Sequence, residues 1–321
     1  MKIEDGSRVC CLGDSLTHMG FWIYDINGYL ADIGSKTRFF NCGVSGKRSW
    51  DAPYNLEDEV LRFGPDYVIV MFGANDINQG LYGSKYNDIS QKEHDDILQR
   101  RKKYEVNMNI ICRMLIQRNV KVILMTPTLF DDRERLNETE VMNGASEELK
   151  EYSKIIKKIA AEFDTEVIEL QERFEFVENL MENDGVRLYA DRIHPNETGY
   201  KIMASIILKH FEYDINIPTS GYELNNLPFR KTKKNDERFV TESKLRELSL
   251  LEFGRYGYES QKKYFLSWEE MAEDQIRRCF ENALEPWEEM ENCKRHARNF
   301  ALNRPRKGEL IRLIIKQTEE L

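Results

Sequence analysis

The sequence predicts an α/β protein: a parallel sheet with helices on both faces. Three observations carry that prediction. Short apolar, β-rich runs alternate with amphipathic helical runs through the first two-thirds of the 321-residue chain. The run Tyr67–Phe72 (YVIVMF) is apolar at every position, as a strand covered on both faces should be. Several of the strand-like runs end in Gly, Ser, Asn or Asp, the residues of turns at a sheet edge.

Taken in order, Arg8–Leu12 (RVCCL) reads as the first buried strand and Phe21–Ile33 as the helix that follows. Thr37–Cys42 (TRFFNC) is the second strand and Asn55–Phe63 a short helix. Tyr67–Phe72 is the third strand. His94–Arg118 is a long helix, with Val106, Ile110, Met114 and Ile116–Gln117 carrying or flanking its apolar stripe. Lys121–Met125 (KVILM) is the fourth strand, ended by Thr126-Pro127, and Ser146–Phe163 is a helix. Glu166–Leu170 (EVIEL) is a weaker fifth strand. Glu197–Phe211 closes the series as a helix behind Pro195. Strands that alternate with helices in this way form right-handed crossovers and a parallel sheet.

Charge and composition narrow the class. Hydrophobic residues make up 41% and charged residues 32%, which is globular rather than disordered. No long uncharged apolar run marks a membrane span, and no apolar core of a signal peptide is legible in residues 1–12, so a cytoplasmic location is expected. The net charge of −9 gives no general attraction for nucleic acid or anionic lipid. The six cysteines, at 10, 11, 42, 112, 279 and 293, form no CxxC pair; they are expected to be free buried thiols.

That charge is unevenly placed. Residues 1–213 hold 36 acidic and 27 basic side chains, and residues 214–321 hold 20 of each. The shift suggests a boundary near Asp214, dividing the chain into 1–213 and 214–321. Beyond a basic run, Arg230–Lys234, helices are expected over Glu237–Phe253, Trp268–Ala283, Trp287–Leu302 and Lys307–Thr318. Phe265, Trp268, Phe280, Trp287 and Phe300 recur at helical spacing and read as core. This helical extension is expected to dock on the rest of the chain, overhang its functional edge or form the seam of a homo-oligomer.

Four short segments could carry chemistry. Gly13-Asp14-Ser15-Leu16 follows the first strand, so Ser15 opens a helix at the carboxyl edge of the sheet, where ligands of such folds bind. Asp191-Arg192-Ile193-His194 places a carboxylate three residues before a histidine. Serine needs a base to become nucleophilic, imidazole is the side chain suited to it near neutrality, and a carboxylate fixes its tautomer. Gly73-Ala74-Asn75-Asp76 and Asn41-Cys42-Gly43-Val44-Ser45-Gly46 also follow strands, offering the Asn75 amide and the Gly43 N–H as donors to a developing oxyanion. Each segment alone also fits ordinary structure: a serine helix cap, a surface histidine, glycine- and asparagine-rich turns. Three of them follow strands, and the carboxyl ends of parallel strands share one edge of the sheet.

In order and spacing, these four segments resemble the GDSL, or SGNH, hydrolases over roughly residues 8–212. The resemblance implies a flavodoxin-like three-layer α/β/α fold and ester hydrolysis through an acyl-serine, with no metal or organic cofactor. It assigns Ser15 as nucleophile and as an oxyanion donor through its N–H. Gly43 N–H and Asn75 Nδ2 complete the hole, His194 is the base, and Asp191 orients it. The GVSG run after Asn41 resembles the esterases that act on acetylated carbohydrates. A serine esterase removing a short acyl group, expected to be acetyl, from a carbohydrate or other small ester follows from this. A lysophospholipase or thioesterase with the same site is the alternative, and a non-catalytic scaffold acting through its C-terminal helices is another.

Weaker candidates surround the site. Asp14 reads as a holder of backbone N–H groups, and it joins His18, Trp50, Tyr54 and Tyr82 as residues that could line the substrate pocket. Trp50, Tyr54 and Tyr82 fit aromatic packing as well. His94-Asp95-Asp96 reads as a solvated helix start, because adjacent helical residues point in different directions and one metal cannot easily collect them. Asp131–Arg135 (DDRER) reads as an exposed loop. No P-loop or GxGxxG is present, so nucleotide binding has no support.

Overall fold

In the computed structural model, which describes residues 1–83, 86–131, 143–182 and 185–229, five strands form one parallel sheet. They are β1 (Arg8–Gly13), β2 (Arg38–Gly43), β3 (Tyr67–Met71), β4 (Lys121–Met125) and β5 (Glu166–Ile168), standing in the order β2-β1-β3-β4-β5. The helices are α1 (Ser15–His18), α2 (Phe21–Asp32), α3 (Leu56–Glu59), α4 (Gln91–Ile116), α5 (Ala145–Phe163), α6 (Leu170–Glu182), α7 (Glu197–His210) and α8 (Gly221–Asn225). Among the described residues, 1–54 and 65–229 form one unit; the segment 55–64 holds α3 and a 3₁₀ turn, Leu61–Phe63, where one short helix was expected.

The chain steps outward from β1 to β2, then crosses back to β3 and on to β4 and β5. That reversal opens a crevice at the carboxyl ends of β1 and β3. The register is level there, since Gly13 lies opposite Gly43 on one side and Met71 on the other. Every residue of β3 is buried, as its unbroken apolar run requires. α2 packs on α7 and α7 on α6, while α4 packs on α5. The two helical groups and the sheet between them make the three-layer sandwich.

Capping sets the helix starts. Ser90 and Glu93 form a capping box, with the Ser90 N–H donating to Glu93 Oε2 at 2.8 Å, so α4 begins at Gln91, three residues before the expected His94. The Asn196 side chain accepts from the Gly199 N–H at 3.0 Å and starts α7.

Two expectations need correction. The α4 stripe lies on another face: Tyr104, Met108, Ile111 and Leu115 are fully buried, while Val106, Ile110 and Ile116 are exposed. Both rows have helical spacing, and the face carrying the larger side chains met the sheet. The fifth strand stops at Ile168, and Leu170 opens α6, a helix the sequence reading did not anticipate. Leu170, Phe174, Val177 and Met181 are its buried stripe, and the Gln171 N–H donates to Thr126 Oγ1 at 2.9 Å, tying its first turn to the end of β4.

Cys10, Cys11, Cys42 and Cys112 are buried and in no disulfide; burial pushes the Cys10 and Cys11 thiols well up and that of Cys112 to about 12. Among the described residues, no helix is long and apolar enough to cross a membrane. Residues 214–229 continue the same unit: the Asp214 carbonyl accepts from Tyr29 Oη at 3.0 Å, and Ile215 and Phe229 are buried. The four helices expected after residue 236, and Cys279 and Cys293, lie outside the described residues.

Asp25 of α2 is buried beside α7, and burial raises its pKa to about 7. The attraction of Lys201 opposes that rise and the repulsion of Glu197 adds to it.

Two predictions follow from this packing. Met108→Ala should destabilise the fold by about 2–5 kcal/mol through loss of buried contacts, whereas Val106→Ser should stay within about 0.5 kcal/mol; urea unfolding of both variants checks the face assignment. Because the folded pKa of Asp25 lies above its unfolded value, its proton stabilises the fold at low pH. That contribution is fully present below about pH 4 and is lost as pH rises toward about 7, by up to ~1.4 kcal/mol per unit. Asp25→Asn should therefore gain on the wild type in urea midpoint as pH rises from 4 to 7 and then level off. A pH-independent difference would contradict the linkage.

Candidate active site

β1 ends at Gly13, where any side chain would meet the Thr17 side chain and, at 2.6 Å, the Met71 carbonyl oxygen. β2 ends at Gly43, where a side chain would fall on the backbone of Thr17 and His18. These two glycines let α1 sit directly on the sheet edge. Asp14 caps α1, its Oδ1 accepting from the Leu16 N–H at 3.0 Å, and Trp22 Nε1 donates to the Leu16 carbonyl at 3.1 Å. Ser15 is thereby held at the first position of the helix, half-buried.

His194 arrives on a narrow turn. The Ala190 N–H donates to the His194 carbonyl and the Asn196 N–H to the Leu188 carbonyl, both at 2.8 Å. Asp191 Oδ1 accepts the N–H groups of Ile193 at 2.7 Å and His194 at 2.6 Å. Its Oδ2 lies 2.8 Å from His194 Nδ1. A carboxylate only accepts, so Nδ1 carries the proton and Nε2 presents its lone pair. Nε2 lies 2.8 Å from Ser15 Oγ. Burial acts to raise the Asp191 pKa, but the bonds from the His194 N–H, the imidazole and the Ile193 N–H outweigh it and hold the group below the usual carboxylate value.

The turn is docked by Arg192, which is buried. Its Nη1 donates to the Asp131 carbonyl at 3.1 Å, and the Asp131 N–H donates back to the Arg192 carbonyl at 2.8 Å. Tyr189 Oη adds a bond to the Leu129 carbonyl at 2.8 Å. Asp131 is buried, not part of an exposed loop as expected; most of 131–135 lies outside the described residues.

Asn75 sits beyond β3, whose end is held by Tyr104 Oη donating to the Phe72 carbonyl at 3.0 Å. Asn75 Nδ2 donates to the Lys47 carbonyl at 3.3 Å; a primary amide has a second hydrogen. The Gly43 N–H donates to Asn41 Oδ1 at 2.9 Å, so an oxyanion at Gly43 would have to compete with that asparagine. Asn41 Nδ2 also donates to the His18 carbonyl at 3.2 Å, stitching β2 to α1. The geometry thus brings Ser15, His194 and Asp191 into one hydrogen-bonded chain at the edge from which Gly43 and Asn75 also project. Such a chain can move a proton from a hydroxyl to an imidazole.

The remaining candidates separate. Asp14 is buried, and burial raises its pKa to about 7 against the Leu16 N–H, with the Asp76 charge adding to the rise; its side chain caps α1. His18 Nδ1 donates to the Gly43 carbonyl at 3.2 Å. Trp50 is half-buried, with Lys103 Nζ 3.7 Å and Arg48 Cζ 4.8 Å from its ring centroid. Tyr54 is 88% exposed, so it is not packed on the sheet edge. Tyr82 is buried and stacked on Tyr86 with centroids 5.5 Å apart. Near the start of α4, His94 and Asp95 are exposed while Asp96 accepts from Asn78 and Arg100. Sequence reading did not single out Asn41 as a side-chain anchor, nor Ser49, Arg192 or the partner of Asp76. An asparagine two residues before a glycine was a legible sign of an Asx turn; the others had none.

A profile of the GDSL-like lipase/acylhydrolase family matches residues 11–202, a stretch that contains Ser15, Gly43, Asn75, Asp191 and His194. An acetylxylan esterase of Geobacillus stearothermophilus is 25% identical over 231 residues, 67% of this chain and 98% of that protein. An acetylxylan esterase of Xylanibacter ruminicola is 31% identical over 224 residues, 64% of this chain and 43% of that protein, so the match spans under half of this second relative. In fold, the chain resembles the G. stearothermophilus acetylxylan esterase Axe2, with a TM-score of 0.52 at 23% identity over 67% of this chain and 98% of that one. It also resembles a gut microbial diltiazem-metabolizing enzyme, with a TM-score of 0.67 at 14% identity over 100% of this chain and 96% of that one. The chain belongs to the GDSL-like lipase/acylhydrolase family and is a carboxylic ester hydrolase.

Proposed function

We propose that this protein is a serine esterase that removes an acetyl group from a carbohydrate or similar small ester through an acetyl-Ser15 intermediate. The observation that carries the reading is the 2.8 Å separation of His194 Nε2 from Ser15 Oγ, with Nδ1 held 2.8 Å from Asp191. Ser15 Oγ attacks the ester carbonyl as Nε2 takes its proton, and Asp191 stabilises the imidazolium that forms. The carbonyl oxygen becomes an oxyanion and is met by the Ser15 N–H and the second Asn75 amide hydrogen. The Gly43 N–H joins them by exchanging Asn41 for the oxyanion. The imidazolium returns its proton to the departing alcohol oxygen. Water then repeats the sequence on the acetyl-serine, releasing acetate and restoring the Ser15 hydroxyl.

The acetyl preference is supported by two relatives described as acetylxylan esterases and by the GVSG run after Asn41. Exposed Tyr54 is the ring free to stack on a sugar; Trp50 already faces two cations and Tyr82 is stacked internally.

Ser15→Ala and His194→Ala should each lower kcat on a nitrophenyl acetate by about 10³-fold or more with the fold retained, because the two act as one proton-transfer unit. Turnover above a tenth of wild type in Ser15→Ala would contradict the mechanism. Comparison of acetyl with long-acyl nitrophenyl esters and with acetylated xylo-oligosaccharides tests the substrate: the acetyl compounds should be preferred, and a preference for long acyl chains would favour the lysophospholipase or thioesterase reading.

A further inference from the structure

Asp76 is fully buried next to Asn75, and the proposed chemistry does not use it. Its Oδ1 accepts two bonds from one residue across the crevice rim, the Ser49 N–H at 3.0 Å and the Ser49 hydroxyl. Ser49 stands two residues after Lys47, whose carbonyl holds Asn75 Nδ2 at 3.3 Å. The loop that leaves β2 and the loop that leaves β3 are therefore stitched twice, once through each of two adjacent side chains. A further bond anchors each side. Arg48 and Asp51 bond to one another on the β2 side, and Arg100 Nη1 reaches the Asp76 carbonyl at 3.4 Å on the β3 side.

We propose that Asp76 is a positioning residue for the Asn75 amide: by anchoring Ser49 it fixes the Lys47 carbonyl, and that carbonyl orients Nδ2 so that its second hydrogen points at the reacting oxygen. The inference rests on the esterase reading given above. A carboxylate suits the task because it takes both Ser49 hydrogens on one oxygen as charge-assisted bonds. Burial raises the Asp76 pKa to about 6 against the two Ser49 bonds, with Asp51 adding to the rise and Arg48 opposing it, so the group is mainly ionised at neutral pH. Asp76 Oδ2 has no hydrogen-bond partner among the described residues. An asparagine at 76 would keep one weaker, neutral acceptor and bury an unpartnered amide donor, which loosens the stitch while preserving shape.

The test is a double-mutant cycle on acetyl-ester turnover by the full-length protein. Asn75→Ala should lower kcat by about 10²–10³-fold, the cost of one oxyanion donor. Asp76→Asn should lower kcat by at least about tenfold, a part of that same cost, with KM changed less than about twofold. In the Asn75→Ala background Asp76→Asn should then lower kcat by less than about twofold, because the group it positions is gone. Ser49→Ala, which keeps the backbone bond and removes only a hydroxyl, should show the same non-additivity on a smaller scale, and it carries the test if Asp76→Asn fails to fold. Additive losses, a KM effect in place of a kcat effect, or an Asp76→Asn enzyme as fast as wild type would each overturn the proposal. A wild type inert toward acetyl esters, or an Asn75→Ala enzyme with undiminished kcat, would remove the esterase reading itself and this inference with it.

Discussion

Gly13 lies opposite Gly43 on one side and Met71 on the other, so β1, β2 and β3 end at the same height on the sheet. The site depends on that level edge. Ser15, Gly43 and Asn75 each stand within a few residues of a strand end, and none is carried on a long loop. Backbone ladders fix such positions more tightly than loop packing does. The glycines at 13 and 43 are part of the same constraint, since a side chain at either would push α1 off the edge. His194 is the exception: it meets Ser15 across 179 residues of sequence, and its turn is held by paired backbone bonds and by the buried Arg192–Asp131 contact.

Three carboxyls near this edge differ in how they are held. Asp191 is partly exposed and receives three hydrogen bonds, which keep it ionised and accepting. Asp14 and Asp76 are fully buried with fewer or less effective donors, and burial dominates, raising them to about 7 and about 6. The contrast follows from the opposition between desolvation and hydrogen bonding to the charged form. The carboxyl facing the imidazole is the one suited to stabilise an imidazolium. The two behind it hold loops, Asp14 the start of α1 and Asp76 the Ser49 segment.

The sheet was legible because its strands are short apolar runs bounded by turn residues, and Lys121–Met125 matches β4 residue for residue. The segments brought together at this edge stood out because a serine, a histidine with a carboxylate three residues before it, and Gly and Asn turns at strand ends are the groups that acyl transfer would use, and because in combination they resemble one family. Misreadings arose where two arrangements satisfy the same local pattern. On α4 two faces carry apolar residues at helical spacing, and only contact with the sheet decides between them. At EVIEL the apolar run continues into the first turn of α6, so the strand seemed longer than it is. The Ser49–Asp76 and Arg192–Asp131 contacts left no trace, because side-chain bonds between residues distant in the chain have no periodicity. The fates of Trp50, Tyr54 and Tyr82 were equally hidden, since they depend on which cations or rings each aromatic meets.

The central claim is that His194 activates Ser15 as a nucleophile. A fluorophosphonate reports it directly, because it reacts with an activated serine. Incubation of the full-length protein followed by intact mass and peptide mapping should give a single adduct, on Ser15, whose rate of formation collapses in His194→Ala. The absence of an adduct on folded protein, an adduct on another residue, or an unchanged rate in His194→Ala would contradict the account.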